Sequence, residues 1–152
     1  MWKVLIFLAP LCPICQDYTF YLNALHEHWE EQYPGQLEMV GWFPNPTVTD
    51  GQIATFADRY NVDWSLGRDT MGWSEVVGAQ YTPEAALVSP EGELVYLGRV
   101  NDLYYALGKH RSKPKSADLA LAVEQAIAGE LVDPSRTDAI GCPIERRFSS
   151  QD

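Results

Sequence analysis

Apolar residues along the chain alternate between continuous runs of strand length and runs that repeat every three to four residues. The first continuous run, Lys3–Ala9, is predicted to form a strand covered on both faces, and Leu37–Phe43 is predicted to form a second strand. Between them, a long helix is predicted from Pro13 to about Tyr33. Its buried face consists of residues spaced four, three and four positions apart: Tyr18, Leu22, Leu25 and Trp29.

A second helix is predicted after Thr49, because Thr49 and Gln52 have the spacing of a capping box. Its buried face consists of apolar residues at helical spacing: Ile53, Phe56, Ala57 and Tyr60. A short strand is predicted at Val62–Leu66 and a short helix at Thr70–Gly78. In that short helix, three apolar side chains are expected to point inward: Trp73, Val76 and Val77.

The following part of the chain contains two β-rich runs, Glu84–Ser89 and Glu93–Arg99, which are joined by a Pro-Glu-Gly turn and are predicted to pair as an antiparallel hairpin. Ser116 is predicted to cap a last helix that ends before Gly129. The core stripe of this helix is apolar: Leu119, Ala122, Val123, Ala126 and Ile127. From residue 130 onward, the sequence has no periodicity.

This order of elements predicts an α/β protein with a mixed central sheet, helices on both faces and an antiparallel C-terminal hairpin, which is the layout of a thioredoxin fold. We expect a thioredoxin-like domain over residues 1–130 and an irregular tail over 131–152 that carries Cys142. A chain of 152 residues is long enough for one domain with a substantial core.

Charge and hydropathy narrow the range of partners. The formal charge of −10 disfavours nucleic acid and anionic membranes, because both attract positive surfaces. The basic residues in 109–115 are predicted to lie in a solvated loop, and no stretch reaches the roughly 20 apolar residues of a membrane span. We therefore expect a soluble, monomeric protein that binds neither nucleic acid nor membranes.

The first residues resemble a leader peptide, but Leu11 stands where a small residue should precede a cleavage site at Cys12. A buried strand is the favoured interpretation of this run. Three cysteines are too few for a disulfide-stapled secreted scaffold, so the compartment stays open. The chain would be cytoplasmic if Met1 is the native start, and periplasmic if a leader has been removed.

The candidate chemistry lies in Cys12-Pro13-Ile14-Cys15, at the predicted change from strand to helix. In the first turn of a helix, unpaired N–H groups and the positive end of the dipole favour a thiolate, so Cys12 is the expected nucleophile. Pro13 suits the first helical position, because it lacks only a donor that would have no partner there. Cys15 lies one turn further on the same face, within reach to resolve a mixed disulfide formed by Cys12.

Two other interpretations of the cysteine pair are a zinc site and a structural disulfide. Structural zinc needs four ligands, and the remaining candidates are His26, His28, His110 and Cys142. His26 lies about 16 Å beyond Cys15 along the same predicted helix, so these two cannot share a metal, and His28 fails likewise. A disulfide across so short a loop would constrain the unfolded chain only weakly. Redox chemistry is the favoured interpretation.

The resemblance to a known family rests on five stretches: Phe7–Cys15, Tyr81–Glu84, Pro90–Arg99, Gly98–Asp102 with Tyr105 and Gly108, and Arg136–Ile144. Together they resemble the thioredoxin superfamily, and within it the redoxin branch that includes alkyl hydroperoxide reductase and thiol-specific antioxidant proteins. The resemblance implies an antioxidant or disulfide-exchange activity with a redox-active disulfide. Leu11 replaces the tryptophan that usually precedes the first cysteine of thioredoxins. Leu5, Phe7 and Leu8 offer neither the threonine nor the arginine of peroxiredoxins.

From the superfamily, Thr82-Pro83 is expected to be a cis-proline step that faces the redox pair, with the Thr82 backbone free to pair with an incoming peptide. Pro13, Ile14, Thr82 and Pro83 are therefore the expected substrate-binding residues. Cys142 has two interpretations. Redoxin tails often carry a glycine-cysteine pair near their ends, so it is either a third redox partner of Cys12 and Cys15 or a half-buried free thiol.

The sequence therefore predicts a thiol–disulfide oxidoreductase that needs no metal or organic cofactor and acts on protein or small-molecule disulfides and thiols. The catalytic residues would be Cys12, Cys15 and, in the first interpretation of the tail, Cys142. A thiol peroxidase in which Cys12 forms a sulfenic acid is one alternative. A soft-metal protein that binds Cu(I) through the three thiols is another.

Overall fold

The structure is a computed structural model that describes residues 1–146; positions 147–152 of the predicted tail lie outside the described residues. Strands and helices follow the predicted order, with additional short strands in the second half of the chain. The helices are α1 (Pro13–Gln32), α2 (Asp50–Arg59), α3 (Trp73–Val77) and α4 (Asp118–Ile127). The strands are β1 (Trp2–Phe7), β2 (Leu37–Phe43), β3 (Ser65–Arg68), β4 (Tyr81–Thr82), β5 (Glu84–Val88), β6 (Leu94–Gly98), β7 (Tyr104–Ala106), β8 (Lys109–His110) and β9 (Cys142–Pro143).

The main sheet has five strands in the order β3-β2-β1-β5-β6. The pairs β1–β2 and β2–β3 are parallel, whereas β5 is antiparallel to both β1 and β6. The mixed α/β architecture and the antiparallel hairpin are therefore confirmed. β1 lies in the centre, and its alternate residues point to opposite faces, which explains why an unbroken apolar run was required there.

Two apolar layers cover this sheet. On one face, α1, α2 and α4 pack against side chains that include Val4, Ile6 and Leu87. On the other face, the α3 residue Val77 and the tail residue Ile144 pack against a smaller cluster that contains Leu5 and Phe7. Helices therefore lie on both faces, but most of the helical mass is on one of them. None of the helices among residues 1–146 combines the length and hydropathy needed to span a bilayer.

Three local predictions differ from the structure. The strand predicted at Val62–Leu66 begins only at Ser65, because the backbone of Val62 still bonds to Ala57 at the end of α2. Val76 points outward and is 74% exposed. Ser116 is not the cap of α4: Ala117 precedes that helix, and the Ser116 N–H is taken by the Asp102 carboxylate at 2.8 Å.

Residues 109–115, which contain most of the clustered basic side chains, were predicted to form a solvated loop. Their first two residues instead form β8, which pairs with β7 in a two-stranded ribbon. Both residues of β8 are exposed, so the solvated character of this part of the run is as expected.

The tail beyond α4 lacks periodicity but packs along the sheet. Leu97 in β6 accepts a hydrogen bond from the Thr137 N–H at 3.2 Å, and the Thr137 hydroxyl accepts one from the Arg99 N–H at 2.9 Å. The tail can approach β6 this closely only because residue 98 is a glycine, since a Cβ there would lie 2.2 Å from Thr137 Oγ1. Further along, β9 pairs antiparallel with β4. The tail thus returns to the end of the sheet where α1 begins.

Candidate active site at the start of the first helix

Cys12 is the residue immediately before the first turn of α1. Its backbone is extended, with φ −79° and ψ 115°, and Pro13 occupies the first helical position as predicted. The Cys12 carbonyl accepts the hydrogen bond from the Gln16 N–H at 3.0 Å that opens the helix. No side chain caps this end of α1, and the backbone N–H of Cys15 is one of the groups that lower the pKa of the Cys12 thiol.

All three cysteines of the chain lie at this helix start, and all three are free thiols. The Cys12 Sγ and the Cys142 Sγ are 2.8 Å apart, although 130 residues separate them in sequence. Cys15 follows one turn along α1 and is fully buried. A disulfide bond is about 2.05 Å long, so a small side-chain movement would join Cys12 to Cys142.

The three thiols have very different acidities. The pKa of Cys12 is lowered to about 5, first because the Cys15 thiol donates a hydrogen bond to it, and then because Cys142 does the same; burial opposes both effects. Burial and the neighbouring Cys12 raise the pKa of Cys15 well above its ordinary value. The same two causes raise the pKa of Cys142 to about 11. At neutral pH, Cys12 is therefore a thiolate with two protonated thiols directed at it.

Cys12 is less accessible than an attacking group was expected to be. Only 3% of its surface is exposed, whereas Leu11 beside it is 81% exposed. Its cover comes from two sides: the tail strand β9, which carries Cys142, and the Thr82 carbonyl oxygen, which lies 3.3 Å from the Cys12 Sγ. Cys142 itself is only partly buried.

The four predicted substrate-binding residues have different environments. Pro13 is exposed beside Cys12, whereas Ile14 is buried in the main core. The Thr82–Pro83 peptide bond is cis, and both residues are buried. The Thr82 backbone is not free, because it pairs with Cys142 of β9. The chain's own tail thus lies where an incoming peptide was expected to bind.

Two residues that the sequence analysis missed hold this arrangement. Gly141 brings the tail against the Thr82 backbone: a Cβ at this position would lie 2.2 Å from the Thr82 carbonyl oxygen. The Glu84 carboxylate accepts hydrogen bonds from the N–H groups of Gln80 and Tyr81 at 2.7 and 3.0 Å, which fixes the segment leading into Thr82. For Gly141, the available signal in the sequence was a glycine directly before a cysteine. For Glu84, an acidic residue at the start of a strand gave no signal.

A polar cluster behind the cysteines was also missed. The Tyr18 hydroxyl donates to Asn101 Oδ1 at 2.7 Å, and Tyr104 donates to the Asp17 carboxylate. Burial raises the pKa of Tyr104 to about 12, so this hydroxyl stays protonated. The cluster joins α1 to the segment after β6 and thereby fixes the first turns of the helix that carries the cysteines.

The low pKa of Cys12 leads to a first prediction. Because the pKa is lowered, the thiolate should persist above it and be lost as the pH falls through about 5. Ultraviolet titration of thiolate absorbance in the reduced protein should show this midpoint, and Cys12→Ser should lack it. A midpoint near the ordinary value of about 8.5 would contradict the prediction.

Matched variants should identify the groups that stabilise the thiolate. Cys15→Ala should raise the Cys12 midpoint more than Cys142→Ala does, because the hydrogen bond from Cys15 is the larger cause. Midpoints that equal the wild-type value in both variants would mean that the helix start alone sets the acidity of Cys12.

Comparison with known proteins supports the fold. No protein-family model matches the chain, and no curated protein matches it in sequence. Among solved structures, a hypothetical protein from Sinorhizobium meliloti 1021 is similar over 97% of this chain and 81% of its own, with 23% identity and a TM-score of 0.81. A putative thioredoxin from Neisseria meningitidis is similar over 84% of this chain and 75% of its own, with 14% identity and a TM-score of 0.59.

A third similar structure is a thiol-disulfide oxidoreductase from Bacteroides fragilis NCTC 9343. It matches 63% of this chain and 70% of its own, with 17% identity and a TM-score of 0.53. These similarities confirm the thioredoxin-like fold, which this chain shares with a protein described as a thiol-disulfide oxidoreductase and with one described as a putative thioredoxin.

Proposed function

We propose that this protein is a thiol–disulfide oxidoreductase in which Cys12 is the central sulfur and Cys15 its resolving partner. The observation that supports this most directly is the Cys12 thiol, whose pKa is lowered to about 5 at the start of α1, with a second thiol one turn away. Thiolates are the reactive form in disulfide exchange, and a neighbouring thiol can resolve the mixed disulfide within the same chain.

In the proposed reaction, the Cys12 thiolate attacks one sulfur of a disulfide, including a mixed disulfide that Cys142 has formed with a partner, and the other sulfur leaves as a thiolate. Cys15 then loses its proton to water and attacks the Cys12 Sγ, which forms the Cys12–Cys15 disulfide and expels the bound sulfur as a second thiolate. The substrate disulfide gains two electrons, and the cysteine pair loses two.

The change in acidity of Cys15 supports this order of steps. Burial is the largest cause that raises its pKa, and the two causes that come from Cys12 are its hydrogen bond and its charge. Both disappear once the Cys12 sulfur is bonded in a mixed disulfide. The Cys15 thiol therefore becomes easier to deprotonate at the stage at which it must act.

Cys142 enters the proposal as an additional redox partner. Its sulfur lies 2.8 Å from the Cys12 Sγ, so it competes with Cys15 for the same atom. The other interpretation of Cys142 is a half-buried free thiol with no redox role. That interpretation does not explain why its sulfur contacts Cys12 in particular.

No specific observation favours either alternative function, the soft-metal protein or the thiol peroxidase. In the part of the chain that the structure describes, no group of three or more His, Cys, Asp or Glu side chains is arranged to hold a metal ion. The Thr82 carbonyl oxygen, which lies 3.3 Å from the Cys12 Sγ, is an acceptor and cannot donate a hydrogen bond to a peroxide.

Mapping of disulfides by mass spectrometry under graded glutathione tests the proposal. Cys142→Ser should still form the Cys12–Cys15 disulfide, since both reacting thiols remain. Cys15→Ser should form Cys12–Cys142 instead. If Cys142→Ser forms no internal disulfide at any ratio of oxidised to reduced glutathione, the proposed pair is wrong.

A further inference from the structure

The three sulfurs form a series from the surface inward. Cys142 is partly exposed, Cys12 is 3% exposed and Cys15 is fully buried. An external sulfur that approaches this site therefore meets Cys142 first. Cys12, the thiolate, lies behind it at 2.8 Å.

The tail is held on both sides of Cys142, so it does not hang loosely over the site. Before Cys142, the Thr137 hydroxyl bonds to Tyr96 at 2.6 Å. After Cys142, the Ile144 N–H donates to the Gln80 carbonyl at 2.9 Å, and the Ile144 side chain is buried. The Arg146 guanidinium then donates to the Ala79 carbonyl at 2.7 Å and to Ser74 Oγ at 2.9 Å. Direct access to Cys12 would require breaking these contacts.

We propose that Cys142 is the sulfur at which external thiols exchange with this protein, and that these partners are low-molecular-weight thiols and their disulfides. This inference rests on the proposed function, since it assumes that the cysteines exchange disulfides. It adds the point of entry and the class of partner.

The exchange starts from the Cys12–Cys142 disulfide. An external thiolate attacks the Cys142 Sγ, the bond between Cys142 and Cys12 breaks, and Cys12 leaves as a thiolate. A second external thiolate then attacks the external sulfur of the mixed disulfide, which releases the external disulfide and the Cys142 thiolate, and Cys142 takes a proton from water. Two external thiols are oxidised and one protein disulfide is reduced. Reoxidation is the same sequence in reverse, with a disulfide of higher reduction potential as the oxidant.

The acidity of Cys12 suits a leaving group better than an attacking group. Relative to a cysteine with a pKa of about 8.5, a pKa of about 5 raises the thiolate fraction at about pH 7 roughly 30-fold. Over the same difference, the intrinsic nucleophilicity falls about 25- to 60-fold, so the two effects cancel. The departure of Cys12 has no such opposing effect, because a thiol of lower pKa leaves faster.

The class of partner follows from the backbone at β4. An extended peptide would have to pair with Thr82, and that position is already paired with Cys142 of β9. Gly141 lies directly on the Thr82 carbonyl, which leaves no space between the tail and that strand. A small thiol needs no backbone pairing and requires only the exposed part of Cys142.

The position of the first mixed disulfide tests this inference. Cys15→Ser is oxidised with diamide to give the Cys12–Cys142 disulfide alone and is then mixed with reduced glutathione and quenched with acid at early times. Peptide mass spectrometry should find glutathione on Cys142, with at least a tenfold excess over Cys12. Glutathione mainly on Cys12, or no Cys12–Cys142 disulfide at all, would overturn the inference.

A matched variant separates this inference from the proposed function. Cys142→Ser carries the buried Cys12–Cys15 disulfide and should react with glutathione at least about tenfold more slowly than oxidised Cys15→Ser, because neither sulfur is accessible. Equal rates would overturn the entry role of Cys142 and leave the proposed function intact. Failure of Cys142→Ser to form its disulfide would instead contradict the proposed function.

A cysteine-containing decapeptide of extended sequence tests the partner class. Corrected for thiol pKa, it should reduce the Cys12–Cys142 disulfide no faster than glutathione does. A rate more than tenfold above that of glutathione would show that peptide binding assists the reaction, and the assignment to small thiols would be wrong.

Discussion

Replacing Cys12 by serine should lower the rate of thiol–disulfide exchange by at least about a thousandfold, to the level of the uncatalysed reaction. Cys12 is the one sulfur placed to bond with either of the others, since Cys142 lies 2.8 Å away and Cys15 one turn along α1. It is also the thiolate of the group, with a pKa of about 5. A serine hydroxyl at the same position neither ionises at neutral pH nor forms a disulfide.

The measurement is turnover in a glutathione-coupled disulfide assay. Cys15→Ser and Cys142→Ser are the matched controls, because each removes one sulfur but leaves Cys12 with a partner. Each control should retain measurable exchange. If Cys12→Ser keeps more than a tenth of the wild-type rate in this assay, Cys12 is not the central sulfur.

Thermal unfolding shows whether a loss of activity has another cause. Serine and cysteine are close in volume, so Cys12→Ser leaves the packing of this buried core position nearly unchanged. Cooperative unfolding should therefore be retained in Cys12→Ser. An unfolded variant would be replaced by Cys12→Ala for the same comparison.

Replacing Gly141 by alanine should have the second largest effect, on the pairing of Cys12 with Cys142. The added Cβ would lie 2.2 Å from the Thr82 carbonyl oxygen and 2.7 Å from its carbonyl carbon. Both atoms belong to backbone that is buried and paired, so the tail must move away from Thr82. Such overpacking costs about 1–3 kcal/mol, which corresponds to a roughly 5- to 150-fold weaker Cys12–Cys142 disulfide at equilibrium.

This equilibrium is measured in the Cys15→Ser background, by equilibration with glutathione and quantification of the disulfide. Gly51→Ala is the matched control, since a Cβ at this helical position would lie 3.8 Å from Thr49 Oγ1 and meet nothing closer. The control should leave the disulfide equilibrium unchanged. An equilibrium that is unchanged in Gly141→Ala as well would mean that the tail pairs with Cys12 without docking on Thr82.

Much of the fold could be predicted because its signals are local. The unbroken apolar run of β1 indicated a central strand, and the capping box of Thr49 and Gln52 is present as predicted. Predictions failed where a distant residue took part in the local structure. Ser116 has the chemistry of a cap, but Asp102 binds its N–H. Trp64 is anchored to Asn23 through its indole N–H at 2.8 Å, within the region where the sequence placed a strand.

The candidate site could likewise be predicted where its signals are local and not where distant residues meet. The spacing of Cys12 and Cys15 and the proline between them indicated two thiols at a helix start, because helical periodicity brings residues three apart to the same face. The tail offered no such regularity. Its glycine-cysteine pair indicated a third thiol, but neither the close approach at Gly141 nor the strand with which the tail would pair.

Local patterns in the chain are enough to predict the order of strands and helices, the apolar faces that join them and a cysteine pair at the start of α1. These features depend on residues a few positions apart, whose spacing is imposed by helix and strand geometry. Long-range packing is needed to place Cys142 on Cys12, to cover Thr82 with the tail and to bury Cys12. Those contacts join residues 60 and 130 positions apart, and they depend on how the whole chain packs rather than on any local period.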